Sequence, residues 1–297
     1  MKTKELEMKT IHVLSSGLSD VGLKREVNED SFSIDDDLGF YIVADGMGGH
    51  LAGEVASQIA VHMINKCFRQ WSTQGIPEDY LYGYPDLSLS RNGNYILSSI
   101  RLANRVIHEM ACQYQQYHGM GTTVVLLAVL PDMIITANVG DSRIYMIRNG
   151  HIEQLSKDHT VVADQIEMGI MTKEEAKASP MKHILTRNLG SVKDVEADIF
   201  EIEPQSKDHF ILCTDGITDL LSDEDIYNLV KAGDSDKKIC KKLVDVALER
   251  GGHDNITVVA VSFPDSKKVK FGLLQKTGSF LVEGITSIKK IIAHFTP

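Results

Sequence analysis

Three aspartates constrain this chain most, because each stands where an apolar run meets a turn. Tyr41-Ile-Val-Ala ends at Asp45-Gly46, Phe210-Ile-Leu-Cys-Thr ends at Asp215-Gly216, and Asp254-Asn255 leads into Ile256-Thr-Val-Val-Ala. Apolar runs of about four to eight residues bounded by turn residues read as buried strands. A carboxylate at such a boundary sits on a rigid element yet faces solvent. A glycine after it, as at Gly46 and Gly216, has no Cβ, so a backbone carbonyl and an incoming ligand can both approach closely. Several such carboxylates together suit a hard, oxygen-seeking cation such as Mg²⁺ or Mn²⁺.

Composition narrows the class further. The 297 residues carry a formal net charge of -10, which argues against nonspecific nucleic-acid binding, since that needs a basic face. Cys67, Cys112, Cys213 and Cys240 form no C-x-x-C pair, which favours free thiols over a disulfide frame or zinc site. The eleven histidines include no H-E-x-x-H spacing. The opening Met1-Lys-Thr-Lys-Glu-Leu-Glu lacks a signal-peptide apolar stretch, and no apolar segment is long enough for a bilayer. The expected location is cytoplasmic.

Strand-like runs fall near residues 10–17, 39–45, 122–130, 133–139, 143–148, 195–202, 208–214 and 255–263, and Asn149-Gly150 signals a tight hairpin. Val55, Ile59, Met63, Cys67 and Trp71 mark one long helix; Ile96, Ile100, Ala103, Ile107, Met110 and Tyr114 mark a second. Two further helices are expected near 223–231 and 236–250, with a long loop over 72–93. Residues 156–190 read as an excursion from the core that contains a capping-box helix at Thr172-Lys-Glu-Glu175. Helices in pairs between hairpin-connected strands suggest antiparallel sheets flanked by helices.

Six motifs follow one another in order. They are Arg25-Glu-Val-Asn28-Glu29-Asp30, Asp45-Gly-Met-Gly-Gly49-His50, Gly119-Met-Gly-Thr-Thr123, Val139-Gly-Asp141-Ser-Arg143, Asp215-Gly-Ile-Thr-Asp219 and Gly252-His-Asp254-Asn255. Together they resemble the bacterial form of the metal-dependent protein serine/threonine phosphatases of type 2C. The resemblance covers about residues 10–263.

It implies an α+β fold: a four-layer αββα sandwich of two antiparallel sheets flanked by helices, with a flap subdomain at about 156–190. It also implies a cleft with two Mn²⁺ or Mg²⁺ ions and a third, weaker metal. Asp45 would bridge the two ions, the Gly46 carbonyl would bind one, and Asp215 and Asp254 would complete the other. Asp30 would orient water, and Arg25 would hold phosphate oxygens in a bidentate fork. Asp141 would serve the third metal. Asp219 would join it, cap the helix that follows or accept a backbone hydrogen bond. His50 would either assist the leaving alkoxide or simply open a helix.

The implied reaction is hydrolysis of phosphoserine and phosphothreonine in proteins by activated water, opposing a serine/threonine kinase. The alternative is a catalytically weak phosphoprotein-binding module on the same fold. A monomer is the expected state. The flap departs from the usual pattern: Ala178-Ser179-Pro180-Met181-Lys182-His183 stands where relatives often have His-Pro, which puts substrate preference in question. Cys213 reads as core packing and Asn255 as a backbone anchor for Asp254. Residues 264–297 are lysine-rich, with Ile285, Ile288, Ile291, Ile292 and Phe295 at helical spacing. They read as an amphipathic extension that either packs on its own domain or docks on a membrane or partner.

Overall fold

The computed structural model describes residues 13–49 and 51–264. In chain order the strands are β1 Leu14–Asp20, β2 Ser31–Asp35, β3 Phe40–Ala44, β4 Gly46–Met47, β5 Gly121–Thr122, β6 Val124–Val129, β7 Ile134–Val139, β8 Arg143–Arg148, β9 His151–Gln154, β10 Asp198–Ile202, β11 His209–Cys213 and β12 Ile256–Ser262. The helices are α1 Leu51–Gln74, α2 Arg91–Gln113, α3 Val161–Glu167, α4 Lys173–Ala178, α5 Asp215–Thr218, α6 Asp223–Lys231 and α7 Asp236–Glu249.

Two five-stranded sheets run β1-β12-β11-β8-β9 and β10-β7-β6-β3-β2, and every pairing is antiparallel. Alternation along each strand sends successive side chains to opposite faces. Tyr41, Val43, Leu127, Ile144, Phe210, Leu212 and Val259 therefore meet between the sheets. The intervening Phe40, Ile42, Leu126 and Ala128 pack outward on Ile59, Met63, Ile96 and Ile100 of α1 and α2. On the other side Tyr145, Ile211, Cys213 and Val258 pack on Ile226, Leu243 and Ala247 of α6 and α7. Both faces of each sheet are covered, which is why the central strands read as unbroken apolar runs rather than alternating ones. The four-layer αββα order is the one the motifs imply.

The Asn149-Gly150 turn closes the β8–β9 hairpin, with both residues at positive φ as a primed turn requires. The sequence signals miss β2. Ser31-Phe-Ser-Ile-Asp35 has only two apolar residues, and it is an edge strand with one partner. The run expected at 10–17 becomes β1 further along, through Asp20, because pairing with β12 carries its polar residues into the sheet. The excursion holds two short helices, α3 and α4, where one was expected. The Thr172 capping box is formed reciprocally with Glu175. Residues 264–297 lie outside the described residues, except Pro264, so the amphipathic extension does too.

Candidate active site

The site is assembled where β3, β7, β11 and β12 meet their turns at one end of the sandwich. Asp45 leaves β3 with its backbone held on both sides. Its N–H donates to Thr123 Oγ1 at 3.0 Å, and its carbonyl accepts from Thr123 N and Thr122 Oγ1, each at 2.8 Å. Only the carboxylate is left to face outward. Gly46 N donates to Glu29 O at 3.2 Å, and a Cβ on Gly46 would lie 2.1 Å from Gly53 O and 2.5 Å from Glu29 O. The glycine is thus required by close packing against α1.

Asp254 and Asn255 open β12. Asn255 N donates to Asp254 Oδ1 at 2.8 Å, its Nδ2 donates to Val21 O and Val27 O, and its Oδ1 accepts from Glu29 N. Asn255 is a backbone anchor, and it fastens the whole 21–29 loop as well as Asp254. Asp215 opens α5 one residue beyond β11 and its cap Thr214. Asp30 is 8% exposed, with Oδ2 accepting from Thr214 Oγ1 at 3.0 Å. Asp141 follows Gly140, whose φ of 108° excludes other residues in practice.

These carboxylates are close enough to perturb one another. Burial, then the charges of Asp30, Asp215, Asp141 and Asp254, pushes the Asp45 carboxyl well above its ordinary value. Burial pushes Asp30 up to about 7, against hydrogen bonds from Thr257 and Thr214. Burial and the charge of Asp215 push Asp141 up to about 7. Asp30 Oδ1 and Asp215 Oδ1 are buried with no hydrogen-bond partner. Orphaned carboxylate oxygens in a like-charged cluster are costly unless a cation satisfies them. The donor set is all oxygen here, which fits Mn²⁺ or Mg²⁺.

One cationic side chain reaches this cluster from the motif loop. Arg25 Nη2 contacts Asp254 Oδ2 at 2.8 Å, while the Arg25 side chain stays half exposed. The forked partner expected of Arg25 is a phosphate; here one arm rests on a carboxylate instead.

The flap supplies two more. Lys182 Nζ lies 3.0 Å from Asp219 Oδ2, and His183 lies 3.6 Å from both Asp215 Oδ2 and Asp219 Oδ2. Asp215 chiefly holds His183 above its ordinary pKa, against partial burial. Asp219 does not cap the next helix. Ser222 does so for α6, in a capping box with Asp225. His183, Asp215 and Asp219 are the set among the described residues whose ligand atoms lie within 4.8 Å of one another. His50 lies outside the described residues.

Sequence reasoning missed His159. It is buried, and Gly140 N donates to its Nδ1 at 3.0 Å, so its proton sits on Nε2, 3.1 Å from Asp198 Oδ2. Its own N–H donates to Gly140 O at 2.9 Å. His159 therefore grips the glycine that presents Asp141, and Arg187 of the flap holds the same Asp198 at 2.9 Å. Nothing local in Lys157-Asp-His-Thr160 signals this, because the partners are 19 and 39 residues away. Thr122 and Thr123 were visible within a motif, but their roles were not.

The protein phosphatase 2C model matches residues 24–242. The serine/threonine phosphatase stp of Listeria monocytogenes is 33% identical over 250 residues, 82% of this chain and 93% of that protein. Protein phosphatase PhpP of Streptococcus pneumoniae is 34% identical over 248 residues, covering 82% and 95%. Among solved structures, the Mycobacterium tuberculosis serine/threonine phosphatase PstP/Ppp superposes with a TM-score of 0.73 at 30% identity, covering 85% of this chain and 99% of that one. A catalytic domain of PstP solved with two manganese ions gives a TM-score of 0.71 at 31% identity, covering 86% and 100%. With the sandwich and its acidic end in place, these matches show that the chain belongs to the protein phosphatase 2C family, the metal-dependent hydrolases of phosphoserine and phosphothreonine in proteins.

Proposed function

We propose that residues 10–263 hydrolyse phosphoserine and phosphothreonine at a binuclear centre held by Asp45, Gly46, Asp215 and Asp254. The observation that carries this reading is the gathering of mutually perturbed carboxylates with orphaned, buried oxygens on rigid strand ends. Asp45 has its backbone clamped on both sides and would bridge the two ions, with the Gly46 carbonyl as a neutral ligand. When bound, two divalent cations supply water acidified toward neutral pH and positive charge for the phosphoryl oxygens.

The chain's own groups supply the rest. Asp30 is fixed by Thr214 at one carboxylate oxygen and leaves the other without a partner, so it would orient a water beside the bound ions. Arg25 is half exposed and tethered by one contact, so it is free to swing from Asp254 to a phosphate. Its planar fork suits two phosphate oxygens, and a cation there would offset charge developing on the phosphoryl group. Asp141 would serve a weaker ion near the flap. A partner kinase of the serine/threonine type would supply the substrates. Among the described residues no helix is long and apolar enough to cross a membrane. The free cysteines support a reducing, cytoplasmic setting.

Turnover of a phosphothreonine peptide with Mn²⁺ tests this reading. Activity should vanish with EDTA, and Arg25→Lys should raise KM about tenfold or more with a smaller change in kcat. A peptide that binds but is not hydrolysed with any metal would favour the binding module instead.

A further inference from the structure

The clamp on Asp45 does not end at β5. Thr122 donates its hydroxyl to Asp45 O, and its backbone pairs both ways with Leu189, Thr122 N to Leu189 O at 3.0 Å and Leu189 N to Thr122 O at 2.8 Å. On β4, Gly46 pairs with Thr122 and Met47 with Gly121. The segment through Leu189, where the flap rejoins the sandwich, thus adds a third member to the ribbon that carries Asp45 and Gly46. Two side chains one turn apart on α2 hold the next residue. Asn104 is 1% exposed, and its Oδ1 accepts from Gly190 N at 2.8 Å while Nδ2 donates to Val192 O at 3.0 Å and Lys193 O at 2.9 Å. His108 Nδ1 donates to Gly190 O at 2.9 Å. Both backbone polar groups of Gly190 are therefore bound to one helix. A glycine is required there, because φ is 101° and a Cβ would lie 2.6 Å from Ile107 Cγ2 and 2.8 Å from Met120 O.

We propose that Asn104 is a positioning residue for the reaction: with His108 it fixes Gly190, so that Leu189 stays on Thr122 and Thr122 stays on Asp45. Asn104 acts through these links and touches neither ion nor substrate. This rests on the phosphatase reading only in that Asp45 is a metal ligand. A carboxylate that serves two ions has to be held to within about 0.5 Å of its working position, and partners outside the ligand shell do that holding. The two threonines that clamp Asp45 are backed differently. Thr123 Oγ1 is backed by Ser142 Oγ at 2.7 Å, inside the sandwich. Thr122 is backed by Leu189, which belongs to neither five-stranded sheet. The half of the clamp that leans on a loop needs an anchor of its own, and α2 supplies it through one buried amide whose oxygen and nitrogen are both committed to residues 190–193.

The test measures Mn²⁺ affinity of the full chain by calorimetry and, at saturating Mn²⁺, kcat and KM for a phosphothreonine peptide. Asn104→Ala should weaken Mn²⁺ about tenfold and lower kcat about fivefold or more, with KM changed less than about twofold. His108→Ala removes one of the two holds on Gly190 and should move affinity and kcat the same way by about two- to threefold. Thr122→Val removes the next link, so adding Asn104→Ala to it should change little further, because both act through one contact to Asp45. Ile100→Val, a core substitution in the same helix, should lower Tm yet keep wild-type Mn²⁺ affinity and kcat. Wild-type Mn²⁺ affinity and kcat in Asn104→Ala overturn the proposal, as do effects of Asn104→Ala and Thr122→Val that multiply in full. So does Ile100→Val weakening Mn²⁺ as much as Asn104→Ala, since affinity then follows stability alone. Should Asn104→Ala fail to fold, His108→Ala decides, and unchanged affinity and kcat in it overturn the proposal. Each of these results leaves the binuclear reading intact. Failure of the wild type to bind any Mn²⁺ overturns both.

Discussion

On the sandwich side of the acidic centre, Asp30 and Asp45 hang from strands and clamped turns, and burial with mutual repulsion lifts their pKa values. On the flap side, Asp215 and Asp219 face Lys182 and His183 across gaps of 3.0 and 3.6 Å. The first side is held by backbone hydrogen bonds that no ligand needs to break, so its geometry exists before an ion arrives. The second is held by long side chains on a polar excursion, so its geometry depends on what occupies the gap. At Asp30 and Asp45 burial and repulsion stand without a paired cationic side chain among the described residues, whereas Asp219 and Asp215 meet Lys182 and His183.

Substitutions on the two sides should therefore differ in kind. The largest effect is expected at Asp254→Asn, which removes a carboxylate from the rigid side and the anchor of Arg25. Phosphopeptide turnover with Mn²⁺ should fall at least ~100-fold, with little change in the circular dichroism spectrum. A loss below ~10-fold would mean that Asp254 is not a ligand.

His159→Gln should weaken the ion proposed for Asp141 by about 10–100-fold, because it loosens Gly140. Burial holds His159 below the ordinary histidine value. Its contribution to stability is therefore full above the unfolded pKa of ~6.5 and is lost as pH falls through the folded value. Urea unfolding from pH 7 to 5 should show a steeper loss for the wild type than for His159→Gln. Equal slopes would show that another group carries the acid sensitivity.

Thr214→Val strips one donor from buried Asp30 and should cost about 1–3 kcal/mol in urea unfolding. The smallest effect is expected on the flap. Thr172→Ala removes a capping box worth about 0.5–2 kcal/mol, and it should speed amide exchange in residues 173–178 while leaving the main unfolding transition in place. A large fall in that transition would show that the flap and sandwich unfold as one unit.

Much of the fold was legible because the central strands are covered on both faces and so appear as apolar runs. The helices over 223–231 and 236–250 were legible from their apolar spacing. β2 was not, because an edge strand keeps polar residues on an open face. At the site, Asp45, Asp215 and Asp254 declared themselves by standing at strand ends. The grip of His159 on Gly140 and the approach of His183 to Asp215 and Asp219 are tertiary facts. They join residues 19 to 36 positions apart through loops whose course no local pattern encodes.

The most direct test of the central claim is Mn²⁺ calorimetry together with phosphopeptide turnover for Asp45→Asn. The account predicts that the wild type binds at least two Mn²⁺ ions and is silenced by EDTA, whereas Asp45→Asn loses tight binding of both bridged ions and nearly all turnover. Full Mn²⁺ binding and wild-type turnover in Asp45→Asn would contradict it.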